Sequence, residues 1–468
     1  MENQNEKSMS ISAKSFISAL VVIFILMVAA YILTFLIPGG QYARVPDANG
    51  NMIITADSEF STVPGGIPFW KWILSPFLVL GAPGSALILA VIAFLLVIGG
   101  VFEGLSKCGL MQYMLNRIAH KYGAKRYVFL AVLMFFFMAM GALIGSFEEC
   151  IPLVPIVVAL AVSMGWDKLT GLGMSLLAVG CGFAAGVCNP FTVGVAQSLA
   201  GLPMFSGVWL RAVGFVLIYA LLWFFVRSHA KKVEKPIPAE VVNNFVPDEK
   251  LDKGLKTFAV IIGIGLVTVL SSGFITFLQD FTLYIVALMF LVAGIAAPLV
   301  CGMSGKELGK AFVKGLIGFL PAVLMIMMAS SIKYTLETAC VLDTALYGAV
   351  QLASTMPKWA VILFIYAIVL VMNFFIGSGS AKAFMLIPLI VPMAQIFGIP
   401  AQLCVVAFAF GDGFSNVLYP TNPALLVALG LTDESYGNWF KWSVKFQLLN
   451  LVLTSALLLF GLAVGYGA

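Results

Sequence analysis

Three ionisable side chains stand inside apolar stretches, each beside a cluster of glycine and serine. They are Glu148 and Glu149 in Gly145-Ser146-Phe147-Glu148-Glu149, and Lys382 in Gly377-Ser378-Gly379-Ser380-Ala381-Lys382. A charge at the centre of a bilayer costs at least about 2.5–3.5 kcal/mol on insertion scales, so such a residue is a functional candidate by default. A carboxylate there attracts an amine or a cation. An ammonium attracts a carboxylate, and helix N-termini opening at the two turns add to that pull. A zwitterion satisfies both ends. Two adjacent carboxylates also raise one another's pKa, so one of them can carry a coupling proton. The competing reading is that Glu148 or Glu149 pairs with Lys382 and ties the turns together without touching a ligand.

Each turn is followed by the same second feature. Pro155 precedes Asn189-Pro190 by the same 34 residues that separate Pro388 from Asn422-Pro423, and the offset of 233 sets Glu149 opposite Lys382. Asn189-Pro190-Phe191-Thr192 and Tyr419-Pro420-Thr421-Asn422-Pro423 offer amide, hydroxyl and carbonyl groups. Proline removes an i to i−4 hydrogen bond and opens a helix. Lipid cannot satisfy backbone freed in this way, which must line a cavity or be buried in protein. Kinking alone would explain one Asn-Pro; two copies at one spacing, each beside a charged turn, favour binding. Asp412 in Gly411-Asp412-Gly413 has no acidic counterpart, because Ala178, Val179 and Gly180 stand opposite. It reads as a cation ligand or as a cap on an internal helix break. The ligand- or ion-contacting set is therefore Gly145, Ser146, Glu148, Glu149, Asn189, Pro190, Thr192, Ser378, Gly379, Ser380, Lys382, Asp412, Thr421 and Asn422. Glu103, Asp280, Glu337 and Asp343 fall near predicted span ends and read as solvated or interfacial.

The elements that position these residues must lie in a membrane. Over 468 residues, 61% are hydrophobic and 10% charged, and the mean hydropathy is +1.05, which excludes a water-soluble domain. The apolar run 16–37 is too long for a signal-peptide core and reads as an uncleaved first span. Lys and Arg set the orientation: five lie in 107–126 and seven in 227–256, against two in 38–71, so the first two segments face the cytoplasm. Residues 84–105 then return, and 110–122 form an amphipathic surface helix. Residues 127–143 and 150–164 make a re-entrant hairpin, 169–200 a broken span and 209–226 a return. The second half reads as spans 258–270, 281–299 and 316–330, a surface helix ending at Leu352, a second re-entrant hairpin (359–377 and 384–397), a second broken span (402–431) and a last span (442–465). The predicted fold is all-α and polytopic. It comprises a cytoplasmic N-terminus (1–15), a first membrane repeat (16–228), a cytoplasmic linker (229–255) and a second repeat of inverted topology (256–468). Broken helices meeting between inverted repeats are the pattern of secondary transporters.

The remaining residue types narrow the class. The net charge of +5 is concentrated in connecting segments, which suits membrane orientation and implies no nucleic-acid partner. Cys108, Cys150, Cys181, Cys188, Cys301, Cys340 and Cys404 have no metal-ligand spacing and read as packing residues. His120 and His229 fall in basic connecting segments. A metalloprotease motif, a buried Ser/His/Asp set and a phosphate-binding loop are missing from the sequence, so gradients drive the transport. No cofactor is expected; the coupling ion is a proton or sodium.

At these residues the chain resembles the DcuC/YfcC carrier family of the ion transporter superfamily. The matching stretches are Ile37-Pro38-Gly39-Gly40-Gln41-Tyr42, Phe147-Glu148-Glu149 with Pro152 and Pro155, Asn189-Pro190-Phe191, and Phe410-Gly411-Asp412-Gly413-Phe414 leading to Pro420-Thr421-Asn422. The resemblance spans nearly the whole chain. It implies scaffold and transport parts, elevator-like alternation and a homo-oligomer, with a dimer favoured. It also implies an inner-membrane carrier of C4-dicarboxylates or of basic amino acids such as arginine and ornithine. Lys382 departs from the YfcC-like pattern, which has a neutral polar residue there; a fixed ammonium can replace a coupling cation or select a more anionic substrate. The Ser-Asn-Thr sodium chemistry of the divalent-anion symporters is also missing at Gly145-Ser146-Phe147. The glutamate pair repels a dianion and attracts an amine. The expected function is a symporter or exchanger of small carboxylate-bearing metabolites, an amino acid ahead of a dicarboxylate, with an ion channel as a lesser alternative.

Overall fold

The computed structural model describes residues 13–46, 52–53, 58–83, 85–203, 205–236, 246–272, 282–353 and 355–467. Asp280 and residues 237–245 of the predicted linker lie outside the described residues. The chain is mostly helical. Among the described residues, eight helices are long and apolar enough to cross a membrane. Their outward faces carry exposed Val128, Val216, Phe224 and Val452, the pattern of helices whose solvent is lipid rather than water.

The predicted breaks fall where the local chemistry requires them. Helix Arg126–Ile144 stops at Gly145, which takes a left-handed conformation (φ +76°) that a side chain would strain. A Cβ there would also lie 2.3 Å from Asn189 Oδ1, so the turn and the first Asn-Pro are packed together. Lys168–Leu172 opens the first broken span, capped by the Asp167 carboxylate on Thr170 N–H. Asp167 also lies 2.9 Å from His229 Nε2. Burial pushes its carboxyl up, but hydrogen bonds from His229 and Thr170 outweigh this and leave it below the usual value. The span continues through Ala178–Ala185 to a break at Gly186 and resumes at Pro190–Gly194 and Val195–Leu199. In the second copy, Ala401–Gly413 and a turn of 3-10 helix lead to Asn422 and the helix Pro423–Leu431.

Packing sorts the helices into groups that draw on both halves of the sequence. Ser85–Lys107 packs against Thr282–Val300 and Gly305–Gly318, and Glu249–Ser272 packs against Thr282–Val300. Around the breaks, Arg126–Ile144 lies on Ala178–Ala185, which crosses Ala401–Gly413; Ala401–Gly413 packs on Lys358–Phe375. That crossing is close: a Cβ on Gly413 would sit 2.3 Å from Ala184 Cα. Ala13–Leu36 covers Leu320–Thr338.

Two expectations need correction. The span predicted at 316–330 divides at Phe319: a capping box of Ser304 and Glu307 starts Gly305–Gly318, and Leu320–Thr338 follows. Lys333 and Glu337 therefore belong to that helix instead of lying beyond its end. The described chain is also not purely α, since Gly40–Tyr42 pairs with Phe60–Thr62 and Val45–Pro46 with Met52–Ile53.

The ribbon is fastened to Val341–Ala353. Asp343, 5% exposed, accepts from Tyr42 N–H through Oδ2 (3.0 Å) and from Arg44 Nη2 through Oδ1 (2.9 Å). Phe60 stacks on Tyr347 with ring centres 4.2 Å apart. Desolvation, with the Asp343 charge second, raises the Tyr42 phenol to about 12. A hydrogen bond to a charged group contributes about 1.5–3 kcal/mol. Asp343→Ala should therefore free the ribbon and speed tryptic cleavage at Arg44 in right-side-out proteoliposomes, while uptake persists. Unchanged cleavage would show that the aromatic contacts alone hold it. Glu103, 12% exposed, is likewise paired, 2.6 Å from Lys314.

Candidate functional site

The two asparagines of the repeated Asn-Pro pairs do the same local work. Asn189 Oδ1 accepts from the N–H groups of Phe191 (3.0 Å) and Thr192 (3.3 Å), and Asn422 Oδ1 from those of Ala424 (2.9 Å) and Leu425 (3.4 Å). Each caps the helix that restarts after the break, satisfying two of its orphan donors. Pro190 and Pro423 occupy the first helical positions, where a missing N–H costs nothing.

The carbonyls freed at the breaks are met by side chains from neighbouring helices. At the first break, Arg211 Nε donates to Val187 O (3.2 Å); the main chain there is also tied to the end of Arg126–Ile144, Cys188 N–H donating to Ala142 O (2.9 Å). At the second, Trp439 Nε1 donates to Val417 O (2.7 Å), Tyr436 Oη to Leu418 O (3.0 Å) and Gln447 Nε2 to Phe414 O (3.0 Å). Arg211, Tyr436, Trp439 and Gln447 were not singled out in the sequence. Arg211 and Gln447 are polar residues within otherwise apolar predicted spans, whereas Tyr436 and Trp439 precede the predicted last span and carry no such signal.

Lys382 and Asp412 are wholly buried and form an ion pair, Nζ to Oδ1 2.5 Å. Lys382 also donates to Ile376 O (2.9 Å) and to Asn373 Oδ1. The partner that meets the ammonium is thus Asp412, in place of a glutamate of the first turn. Asn373, another residue without a sequence flag, has its Nδ2, with two N–H donors, within hydrogen-bond distance of Asp412 O (2.9 Å), Ser415 Oγ (2.6 Å) and Asn416 Oδ1 (2.9 Å). Asn422 Nδ2 reaches the same Asn416 oxygen (3.1 Å), so the ion pair is wired to the second Asn-Pro cap. The second turn also touches the first broken span. Ser380 Oγ donates to Phe191 O (2.9 Å), and a Cβ on Gly379 would lie 2.8 Å from both Asp412 Oδ2 and Thr192 Cγ2.

In front of this network is a cavity of about 270 Å³. Glu148, Ser378, Thr421 and Asn422 line it, as the sequence reading expects, and Leu320–Thr338 adds Ser330, Lys333, Tyr334 and Glu337. Ile88, Val91, Phe374 and Phe375 supply apolar walls. Lys333 Nζ is 3.3 Å from Glu337 Oε1, an i, i+4 pair facing the cavity. The helices Gly379–Ile396 and Pro423–Leu431 both begin at its edge, through Ser378, Ala381, Asn422 and Ala424. Gly145, Ser146, Glu149, Asn189, Pro190, Thr192, Gly379, Ser380, Lys382 and Asp412 do not line it. Ser146 Oγ and Thr192 Oγ1 are buried without a hydrogen-bond partner. The cavity is slightly smaller than the roughly 300–1,000 Å³ of sites for drug-sized ligands, which suits a small metabolite.

A family model described as C4-dicarboxylate anaerobic carrier, DcuC, matches residues 16–463. The chain belongs to the DcuC family. It is accordingly a multi-pass membrane transporter, and its relatives are carriers rather than enzymes. It is similar to the Escherichia coli K12 protein named "Putative basic amino acid antiporter YfcC", with 29% identity over 401 residues, 80% of this chain and 78% of the relative. An uncharacterized Haemophilus influenzae protein is 24% identical over 370 residues, 75% of this chain and 71% of the relative. Among solved structures, the Alcanivorax borkumensis YdaH transporter aligns with a TM-score of 0.44 and 17% identity, covering 97% of this chain and 99% of its own. MtrF of Neisseria gonorrhoeae, from a class of antimetabolite efflux pumps, aligns with a TM-score of 0.44 and 16% identity, covering 94% of each chain.

Proposed function

We propose that this DcuC-family carrier is a secondary transporter of amino acids, with a basic amino acid as the favoured substrate, bound in the cavity beside Glu148. The observation that carries this reading is the charge around the cavity. Its charged lining residues are Glu148, Lys333 and Glu337. Lys333 and Glu337 neutralise one another, which leaves the carboxylate of Glu148. Lys382 cannot offset it, because its ammonium is held by Asp412 behind the cavity. A net negative pocket attracts a cation and repels a dianion. The substrate's carboxylate would lie towards Lys333 and the two helix N-termini, and its side-chain amine or guanidinium towards Glu148. The YfcC relative's name points the same way.

In this reading the two Asn-Pro copies belong to repeats 16–228 and 256–468 of inverted topology, joined by the cytoplasmic linker 229–255. The two turns are the tips of re-entrant hairpins, and the carrier works in the inner membrane as a homodimer. The duplicated caps at Asn189 and Asn422 support the repeat.

The dicarboxylate reading draws on Lys333 and on the family description. Counterflow in proteoliposomes separates the two. Vesicles loaded with unlabelled arginine or ornithine should accumulate labelled arginine, and external succinate should not compete. Rapid succinate exchange that is indifferent to basic amino acids would overturn the amino-acid assignment in favour of a dicarboxylate carrier.

A further inference from the structure

We infer that the Lys382 ammonium fills a cation site, acting as a tethered substitute for a free monovalent ion. Three oxygens surround the ammonium: Ile376 O at 2.9 Å and Asn373 Oδ1 accept its hydrogen bonds, and Asp412 Oδ1 meets it as an ion pair at 2.5 Å. A carboxylate, a main-chain carbonyl and an amide oxygen are the donor set that hard cations take in proteins. Each is held for that purpose. The Ile376 carbonyl is free because Lys358–Phe375 has ended and Gly379–Ile396 has not begun. The Asn373 amide is oriented by its nitrogen, which faces Asp412 O, Ser415 Oγ and Asn416 Oδ1 with two N–H donors, and this aims its oxygen at Lys382. Asp412 and Lys382 are both fully buried, and neither carboxylate oxygen of Asp412 accepts a hydrogen bond, so the Lys382 charge is what meets it.

The position of this site gives it a role. Asn373 and Asn422 share the Asn416 oxygen, and Asn422 caps a helix that opens on the cavity. A cation at 382 therefore holds the broken span in its binding arrangement. A tethered cation does so permanently, so this site adds no ion to the transport cycle. The inference concerns the ion and not the substrate, and it stands whichever metabolite the cavity takes.

Truncating Lys382 should turn the tethered site into an open one. In Lys382→Ala, three buried oxygens and a net negative charge remain, and Na⁺ can enter. The full-length protein in detergent is tested by ²²Na⁺ binding and by melting in NaCl against choline chloride at equal ionic strength. Wild type should melt identically in both salts. Lys382→Ala should bind ²²Na⁺ saturably and melt roughly 5 °C higher in 100 mM NaCl. Lys382→Ala/Asp412→Ala, which lacks the carboxylate, should bind none and be indifferent to the salt. Three results would each overturn the inference: Lys382→Ala melting alike in the two salts, Lys382→Ala remaining unrecoverable when purified in Na⁺, or the double variant responding as the single one does. The readout needs no transported substrate, so a wrong substrate assignment leaves it intact.

Discussion

Glu148→Gln in reconstituted carrier should lower the uptake of a basic amino acid by about 10- to 150-fold while leaving the melting temperature near that of wild type. The magnitude follows from the interaction removed. A hydrogen bond to a charged group contributes about 1.5–3 kcal/mol, and each 1.4 kcal/mol is about tenfold in an equilibrium. Glutamine keeps the shape, so the turn itself should survive. The neighbouring Glu149 provides the internal control. Both residues begin the 3-10 segment Glu148–Leu153, in which successive side chains point about a third of a turn apart. Glu148 faces the cavity and Glu149 does not. Glu149→Gln should therefore cost transport much less than Glu148→Gln. Equal losses would mean that the pair acts as one unit, such as a shared coupling proton. No loss in Glu148→Gln, or faster succinate uptake in wild type than arginine uptake, would remove Glu148 from substrate recognition.

The features legible in the sequence are those decided within a few residues. Gly145 could be read as a turn, Asn189-Pro190 and Asn422-Pro423 as breaks, and 110–122 as a helix, because capping, proline and hydrophobic periodicity are local. The observed helix Leu110–Tyr122 matches that last reading to the residue. What was not legible depends on partners far along the chain. Charge near the turns marked Lys382 as a candidate, but only the packing of Lys358–Phe375 against Ala401–Gly413 brings Asn373 and Asp412 to it. Lys333 and Glu337 were lost for a different reason. Hydropathy ends the span at Ser330, before the first charge, whereas the i, i+4 ion pair lets the helix run on to Thr338. Asp343 reads as interfacial from the sequence because nothing local shows that Tyr42 and Arg44, about 300 residues earlier, converge on it.

Arg211→Met should be the most destabilising of the substitutions that touch the two breaks. Both breaks expose carbonyls that lipid cannot satisfy, but the chain treats them unequally. At the second break three neutral donors share the work, with Trp439, Tyr436 and Gln447 each holding one carbonyl. At the first, a guanidinium that is 0% exposed holds Val187 O (3.2 Å) and also, in the loop after the span, Phe205 O (3.3 Å) and Ser206 O (3.0 Å), the last shared with Gln197 Nε2 and Gln402 Nε2. Each buried acceptor left unmet costs about 1–3 kcal/mol, while removing the buried charge relieves part of its desolvation penalty. The net loss for Arg211→Met is about 3–5 kcal/mol, against about 1–3 kcal/mol for Trp439→Phe or Gln447→Leu. Chemical unfolding in mixed micelles gives the ranking, and Arg211→Lys, which keeps the charge but not the planar fork, should recover only part of the loss. If Arg211→Met unfolds with wild type, water or lipid headgroups must reach the first break, and its carbonyls would then line an aqueous path rather than a sealed hinge.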